Sequence, residues 1–185
     1  LMLSIAAAMW GSDVIVKEER DKTVEFSLTL PVTRGRLITA KSLAALVNCI
    51  ALLLLTWGFV LYGSAAYQSD GAYYTFVARS MLAIFIMQLI FLAVGILLGC
   101  AMQRYKRVGA VAISILLGTY LISILVGLDD IFEPLGYLSP FTYFSPGSIL
   151  RDASLNAGYV VLSVGIIAVA MVGAYLTYNR RDLYI

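Results

Sequence analysis

Histidine is absent from all 185 residues, so the commonest metal ligand and the commonest general base are missing together. Cysteine occurs only twice. Cys49 and Cys100 each sit inside a long apolar run, near one end of it, and not in a loop where an oxidising compartment would bridge them. They read as small packing residues. Charge is also scarce: Asp, Glu, Lys and Arg make up 13% of the chain, against about 25% in a soluble domain. The net charge of +2 gives no broad attraction to a nucleic acid. No paired carboxylates lie within the apolar runs, so an intramembrane enzyme lacks its acid–base machinery. Proline is rare, and three of the four prolines, Pro134, Pro140 and Pro146, fall in one stretch.

What remains is apolar. Hydrophobic residues make up 61% of the chain, too much for a core of this size to hide, so the solvent is lipid. A membrane-crossing helix needs about 20 apolar residues. Residues 42–66, 80–102, 108–128 and 157–178 satisfy this, and residues 1–16 read as a fifth span shortened at its front. The chain opens on Leu1, already inside an apolar run, and so reads as part of a longer membrane protein. A signal peptide is disfavoured for residues 1–16, because positive charge follows the run, at Lys17 and Arg20, rather than preceding it.

The basic residues are strongly one-sided. With alternate loops assigned to one face, Lys17, Arg20, Lys22, Arg34, Arg36, Lys41, Arg104, Lys106, Arg107, Arg180 and Arg181 fall together, and only Arg79 and Arg151 fall opposite. By the positive-inside rule the 17–41 insert, the 102–107 turn and the C-terminus are cytoplasmic, and residues 68–78 and 129–156 face outward. The 102–107 turn is short enough that the spans flanking it are expected to be antiparallel neighbours. Gly95 and Gly99 form a G-x-x-x-G pair, and Ser114 and Gly118 a second small pair, both suited to close helix approach. Tyr62, Tyr67, Tyr159, Tyr175 and Tyr178 stand near span ends, as an interfacial belt does.

Two loops are unusual. Residues 129–156 are too apolar for a solvated loop and too interrupted by proline for a span. Short helices re-entering the outer interface and capping the bundle fit both facts, with Pro140, Phe141, Tyr143 and Phe144 as the cap. The 17–41 insert carries six of the thirteen basic residues together with Glu18, Glu19, Asp21 and Glu25. Its end, from Gly35 to Lys41 and Ser42, nearly matches a phosphate-binding loop but has Ala40 in place of the second glycine. No strand–loop–helix unit surrounds it, so the match is a coincidence and ATP belongs to another chain. Val24, Phe26, Leu28 and Leu30 alternate as in a strand. A short interfacial helix ended by Pro31 is the other reading, and pattern alone leaves both open.

The ordered run Glu19, Thr23, Glu25, Leu28, Leu30, Pro31, Val32, Thr33, Arg34 and Lys41 resembles the signature of ABC-2-type transporter permeases. It departs from that signature with Lys22 where glycine is common and Ser27 where leucine is frequent. Ser139 to Phe144 is similar to the family's outer-loop motif, and residues 179–183 to its ending. The resemblance implies an all-α transmembrane bundle of six spans, one of them before Leu1, in a single domain covering residues 1–185. It implies two permease subunits, a homo- or heterodimer in a cell membrane, and a separate ATP-binding subunit that uses ATP and Mg while this chain binds no cofactor. It also implies a coupling helix near residues 23–30 that docks on that subunit. Carried onto this chain, the docking residues are Glu19, Thr23, Glu25, Phe26, Leu28, Pro31 and Arg34.

Among polar residues in the spans, Asn48, Thr56, Gln88, Thr119 and Ser123 are candidates for lining a substrate path. Bonding between helices is the commoner use of such residues. Asp13 stands four residues before Lys17, a spacing that suits a pair at the inner surface. The reading is therefore a permease subunit of an ATP-driven transporter, with export the expected direction. A membrane scaffold or sensor without transport is the alternative.

Overall fold

A computed structural model describes residues 1–20, 33–65, 71–102, 104–144 and 156–180, and among these it is helical with no strand. The helices are α1 (Met2–Arg20), α2 (Arg34–Ala65), α3 (Gly71–Ala101), α4 (Tyr105–Val126), α5 (Pro140–Tyr143) and α6 (Ala157–Arg180), with a 3-10 helix, Asp130–Leu138, before α5. Thr23–Leu30, where strand and helix compete, lies outside the described residues. Among the described residues four helices are long and apolar enough to cross a membrane, over Gly35–Ser64, Gly71–Ala101, Lys106–Val126 and Ala157–Asn179. Helix α1 is not among them, because its 19 residues include Asp13 and a charged last turn, Lys17 to Arg20.

Two helices are longer than the apolar runs suggest. Helix α2 has 32 residues and α3 has 31, so each extends about 46–48 Å, well beyond a hydrocarbon core of roughly 30 Å. The excess lies at the polar ends. Residues 34–41 extend α2 through Arg36 and Lys41. Residues 71–79 extend α3, so most of what hydropathy assigns to an outer loop is helix. Backbone hydrogen bonding does not stop where apolarity stops. Helix α6 starts where Asn156 accepts the Gly158 N–H at 2.9 Å through its side chain, as a capping residue does.

Helix directions follow from side-by-side register. A Cβ added to Gly95 would lie against Ala8, and one added to Gly99 against Ser12 and Ile15, so α1 and α3 run parallel. Helix α6 also parallels α3, since Ala83 and Met87 cluster with Tyr159 and Val160 while Gly173 meets Leu97. The Thr39 and Tyr175 hydroxyls, 2.7 Å apart, join the start of α2 to the end of α6. The charged end of α1, the start of α2, the start of α4 and the end of α6 therefore gather at one end of the bundle. Arg79, near the start of α3, lies toward the other.

The core sits on α1 and α3. Half of the most apolar stretch of α3 is buried, against 11% for α2 and 17% each for α4 and α6. One cluster joins Ala7 and Ile15 of α1, Ile38 and Cys49 of α2, Leu92, Ile96 and Cys100 of α3, and Ala174 and Tyr178 of α6. A second joins Ala8, Phe91, Ala112 and Leu116 across α1, α3 and α4. Helices α3 and α4 do touch, as their short turn requires. Each nevertheless shares a larger contact with α1, which is wedged against both. The outer faces of α2, α4 and α6 remain apolar, with Phe59 75% and Val169 74% exposed, as surfaces turned to lipid are.

Candidate functional site: bundle seam, outer cap and basic end

The tightest feature is the α1–α3 seam. A Cβ built on Gly95 would stand 2.5 Å from the Ala8 carbonyl oxygen, and one on Gly11 would stand 2.4 Å from the Leu92 carbonyl oxygen. Both are below any real Cβ contact, so the two backbones touch only because these positions are glycine. In lipid, where apolar side chains gain nothing by leaving the solvent, this close van der Waals contact is what holds helices together. The other small pair does not act this way: Ser114 is exposed, and a Cβ on Gly118 would meet nothing within 4 Å.

The cap formed by residues 139–144 packs into the bundle through aromatic rings. Tyr143 is 3% and Phe144 4% exposed, and Pro140 is buried at the first turn of α5, where its missing N–H costs nothing. Tyr143 stacks on Tyr159 of α6 at 5.0 Å with the rings 6° apart, and its hydroxyl donates to the Tyr137 carbonyl. Phe141 meets Phe91 of α3 at 5.3 Å and Tyr120 of α4 at 5.5 Å. The buried Ser139 hydroxyl donates to the Thr119 carbonyl at 2.7 Å. Burial raises the Tyr143 hydroxyl above its ordinary pKa, and neighbouring Tyr159 raises it further, so it stays a proton donor at physiological pH. The cap thus ties α3, α4 and α6 together at the end opposite the basic one.

The five candidate path residues lie on three helices, Asn48 and Thr56 on α2, Gln88 on α3, and Thr119 and Ser123 on α4. Thr56, Thr119 and Ser123 donate to carbonyls of their own helices, at Leu52, Leu116 and Tyr120, over 2.7–2.8 Å. Asn48 is exposed on α2. Gln88 is wholly buried in α3, and neither of its amide atoms has a hydrogen-bond partner among the described residues. Of the five it alone carries an unmet polar demand in the bundle interior.

At the basic end, the near match to a phosphate loop, 35–42, is continuous helix within α2. Leu37 N–H already donates to the Thr33 carbonyl, and the Thr39 hydroxyl to the Gly35 carbonyl at 2.8 Å. These groups do not form a phosphate cradle. Thr23, Glu25, Phe26, Leu28 and Pro31 lie outside the described residues. Glu19 and Arg34 are described only as the end of α1 and the start of α2, which bracket the segment between them.

Sequence reasoning passes over one site here. A cavity of about 810 Å³ opens between α1 and the start of α4, lined by Trp10, Asp13 and Lys106 among others. Asp13, expected to pair along its own helix, faces this space. The available signal was an acidic residue inside an apolar helix, which is by default functional.

A bundle of long apolar helices with one basic end and an aromatic cap at the other is the body of a multi-pass membrane protein. The family profile of the ABC-2 family transporter proteins matches residues 1–183, and the chain belongs to that family. It is a permease component of an ABC transporter, working with an ATP-binding partner. No curated protein matches it in sequence.

Proposed function

We propose that this chain forms the substrate pathway of an exporter in a cell membrane, paired with a second permease subunit and driven by a separate subunit that alone binds ATP and Mg. Residues 17–41 are the coupling segment, cytoplasmic, and residues 23–30 dock on the ATP-binding subunit with Glu25 and Arg34 as charged contacts. The observation that carries this reading is the position of α1. The helix entering the segment is the one wedged between α3 and α4, and the helix leaving it is tied to α6 through Thr39 and Tyr175. A rigid-body push on the segment therefore reaches every long helix without this chain touching ATP.

The test is charge reversal at the docking segment. Glu25→Lys in the intact transporter is expected to leave membrane insertion and expression unchanged. Transport is expected to fall by about tenfold or more, the scale of losing one charge-assisted contact. Normal transport with the ATPase still bound would remove Glu25 from the interface. A scaffold or sensor would show no ATP-dependent substrate movement in either form.

Sidedness has its own check. Cysteines placed at Asp70 and Asp129 are expected to react with a membrane-impermeant maleimide added outside intact cells, and a cysteine at Lys22 only after the cells are opened. The reverse pattern would invert the orientation.

A further inference from the structure

The cavity between α1 and α4 has the size of a small-molecule site, about 810 Å³ against the usual range of roughly 300–1,000 Å³. Its α1 wall runs from Ala6 to Val16, about 15 Å along the helix, and includes Met9, Trp10 and Asp13. Its α4 wall is Lys106, Val108 and Gly109. Both charges lie toward the basic end of the bundle, while the deeper wall, at Ala6 and Met9, is apolar. A Cβ on Gly109 would meet nothing within 4 Å, so glycine there leaves open space and serves no packing contact.

We infer that this cavity binds an amphiphile with a zwitterionic head, its ammonium toward Asp13 and Trp10 and its anionic group toward Lys106. This deepens the permease reading by naming a substrate class. Lys106 opposes a purely cationic head, and Asp13 opposes a purely anionic one. A head carrying both signs meets each wall with its complement. The indole of Trp10, three residues before Asp13 on the same helix, adds cation–π attraction for an alkylated ammonium. Both charged residues already interact within the protein, so the ligand's charges exchange with protein ones and the site's net charge is unchanged. Ala6 and Met9, deeper than the two charges, accept the chain. Asp13 would cost about 2.5–3.5 kcal/mol at a helix centre facing lipid, and a cavity shared with Lys106 gives its carboxylate a reason to be there.

The experiment uses the intact transporter with its ATP-binding partner in phosphatidylglycerol nanodiscs. Three diazirine probes share one alkyl chain and carry a phosphocholine, a phosphate or a trimethylammonium head. Labelling at Met9 and Trp10 is mapped by mass spectrometry and divided by labelling at Phe59, which is 75% exposed on α2 and reports ordinary lipid contact. The phosphocholine probe is expected to exceed both others by about tenfold. Asp13→Asn and Lys106→Gln are each expected to erase that preference, and Gly109→Phe to remove cavity labelling by all three probes. Normal Phe59 labelling and partner recovery show that a variant is folded. Equal labelling by the three heads, or labelling untouched by Gly109→Phe, would overturn the proposal. Adding phosphatidylethanolamine separates the sources: displacement of the probe identifies a two-chain bilayer lipid as the ligand, and its persistence a single-chain amphiphile. Either result keeps the class. Binding is read without ATP, so its failure is distinct from a failure of coupling, which the Glu25→Lys transport assay reads.

Discussion

Gly95→Leu will separate α1 from α3 and unfold the inner bundle. Even the first added atom would stand 2.5 Å from the Ala8 carbonyl oxygen and 3.0 Å from the Ser12 nitrogen. Both obstacles are backbone, so no side-chain rotation relieves them. The helices must part by more than an ångström along a seam whose stability depends on contact distance. The expected loss is about 3 kcal/mol, the upper end of over-packing costs, because side-chain repacking is unavailable. In detergent, the variant should melt well below the parent and lose protease resistance in α1. Gly118→Ala is the control, because the Cβ it adds meets nothing within 4 Å. Equal thermal stability of Gly95→Leu and the parent would show that the α1–α3 register is wrong.

Tyr143→Ala will release the outer cap and leave the seam intact. The substitution deletes the ring stacked on Tyr159 and leaves a void in a cluster that also holds Ala83 and Phe144. Removal of a buried aromatic costs on the order of 3 kcal/mol. Here the loss is local, since Tyr143 packs in the cluster shared with Ala83, Phe144 and Tyr159, which holds no residue of α1. Amide hydrogen exchange over 130–144 should rise by about a hundredfold, the equivalent of that energy. Exchange in α1 and the inner half of α3 should not change. Tyr143→Phe keeps the stacking and loses only the hydrogen bond to Tyr137, so its effect should be far smaller, about 1 kcal/mol. If Phe and Ala behave alike, the hydrogen bond and not the packing holds the cap.

Much of this architecture is legible in the chain. Four apolar runs announce four long helices, and the spread of Lys and Arg puts their ends in order. The prolines between 129 and 156 stand among aromatics, and of the residues described there Pro140, Tyr143 and Phe144 are buried. The Gly95–Gly99 spacing signals close approach. The same signal at Ser114 and Gly118 leads nowhere within this chain, because small residues allow contact without specifying a partner. Hydropathy also starts two of the helices too late, at 42 and 80 where the helices begin at 34 and 71. It measures transfer to lipid, whereas the ends of α2 and α3 are set by backbone hydrogen bonds that continue into water.

The composition and the order of charges determined by themselves that this chain lives in a membrane and which of its helix ends lie together. Those properties depend on how each residue partitions between lipid and water, a quantity local to the residue. Only the tertiary structure decided that α1, with its charged last turn, packs with α3 at the core, that Gly95 and Gly11 face each other, and that Asp13 shares a cavity with Lys106. In lipid every apolar face is equally well solvated. Partner choice therefore rests on close packing and on paired charges, and these exist only between segments far apart in the chain.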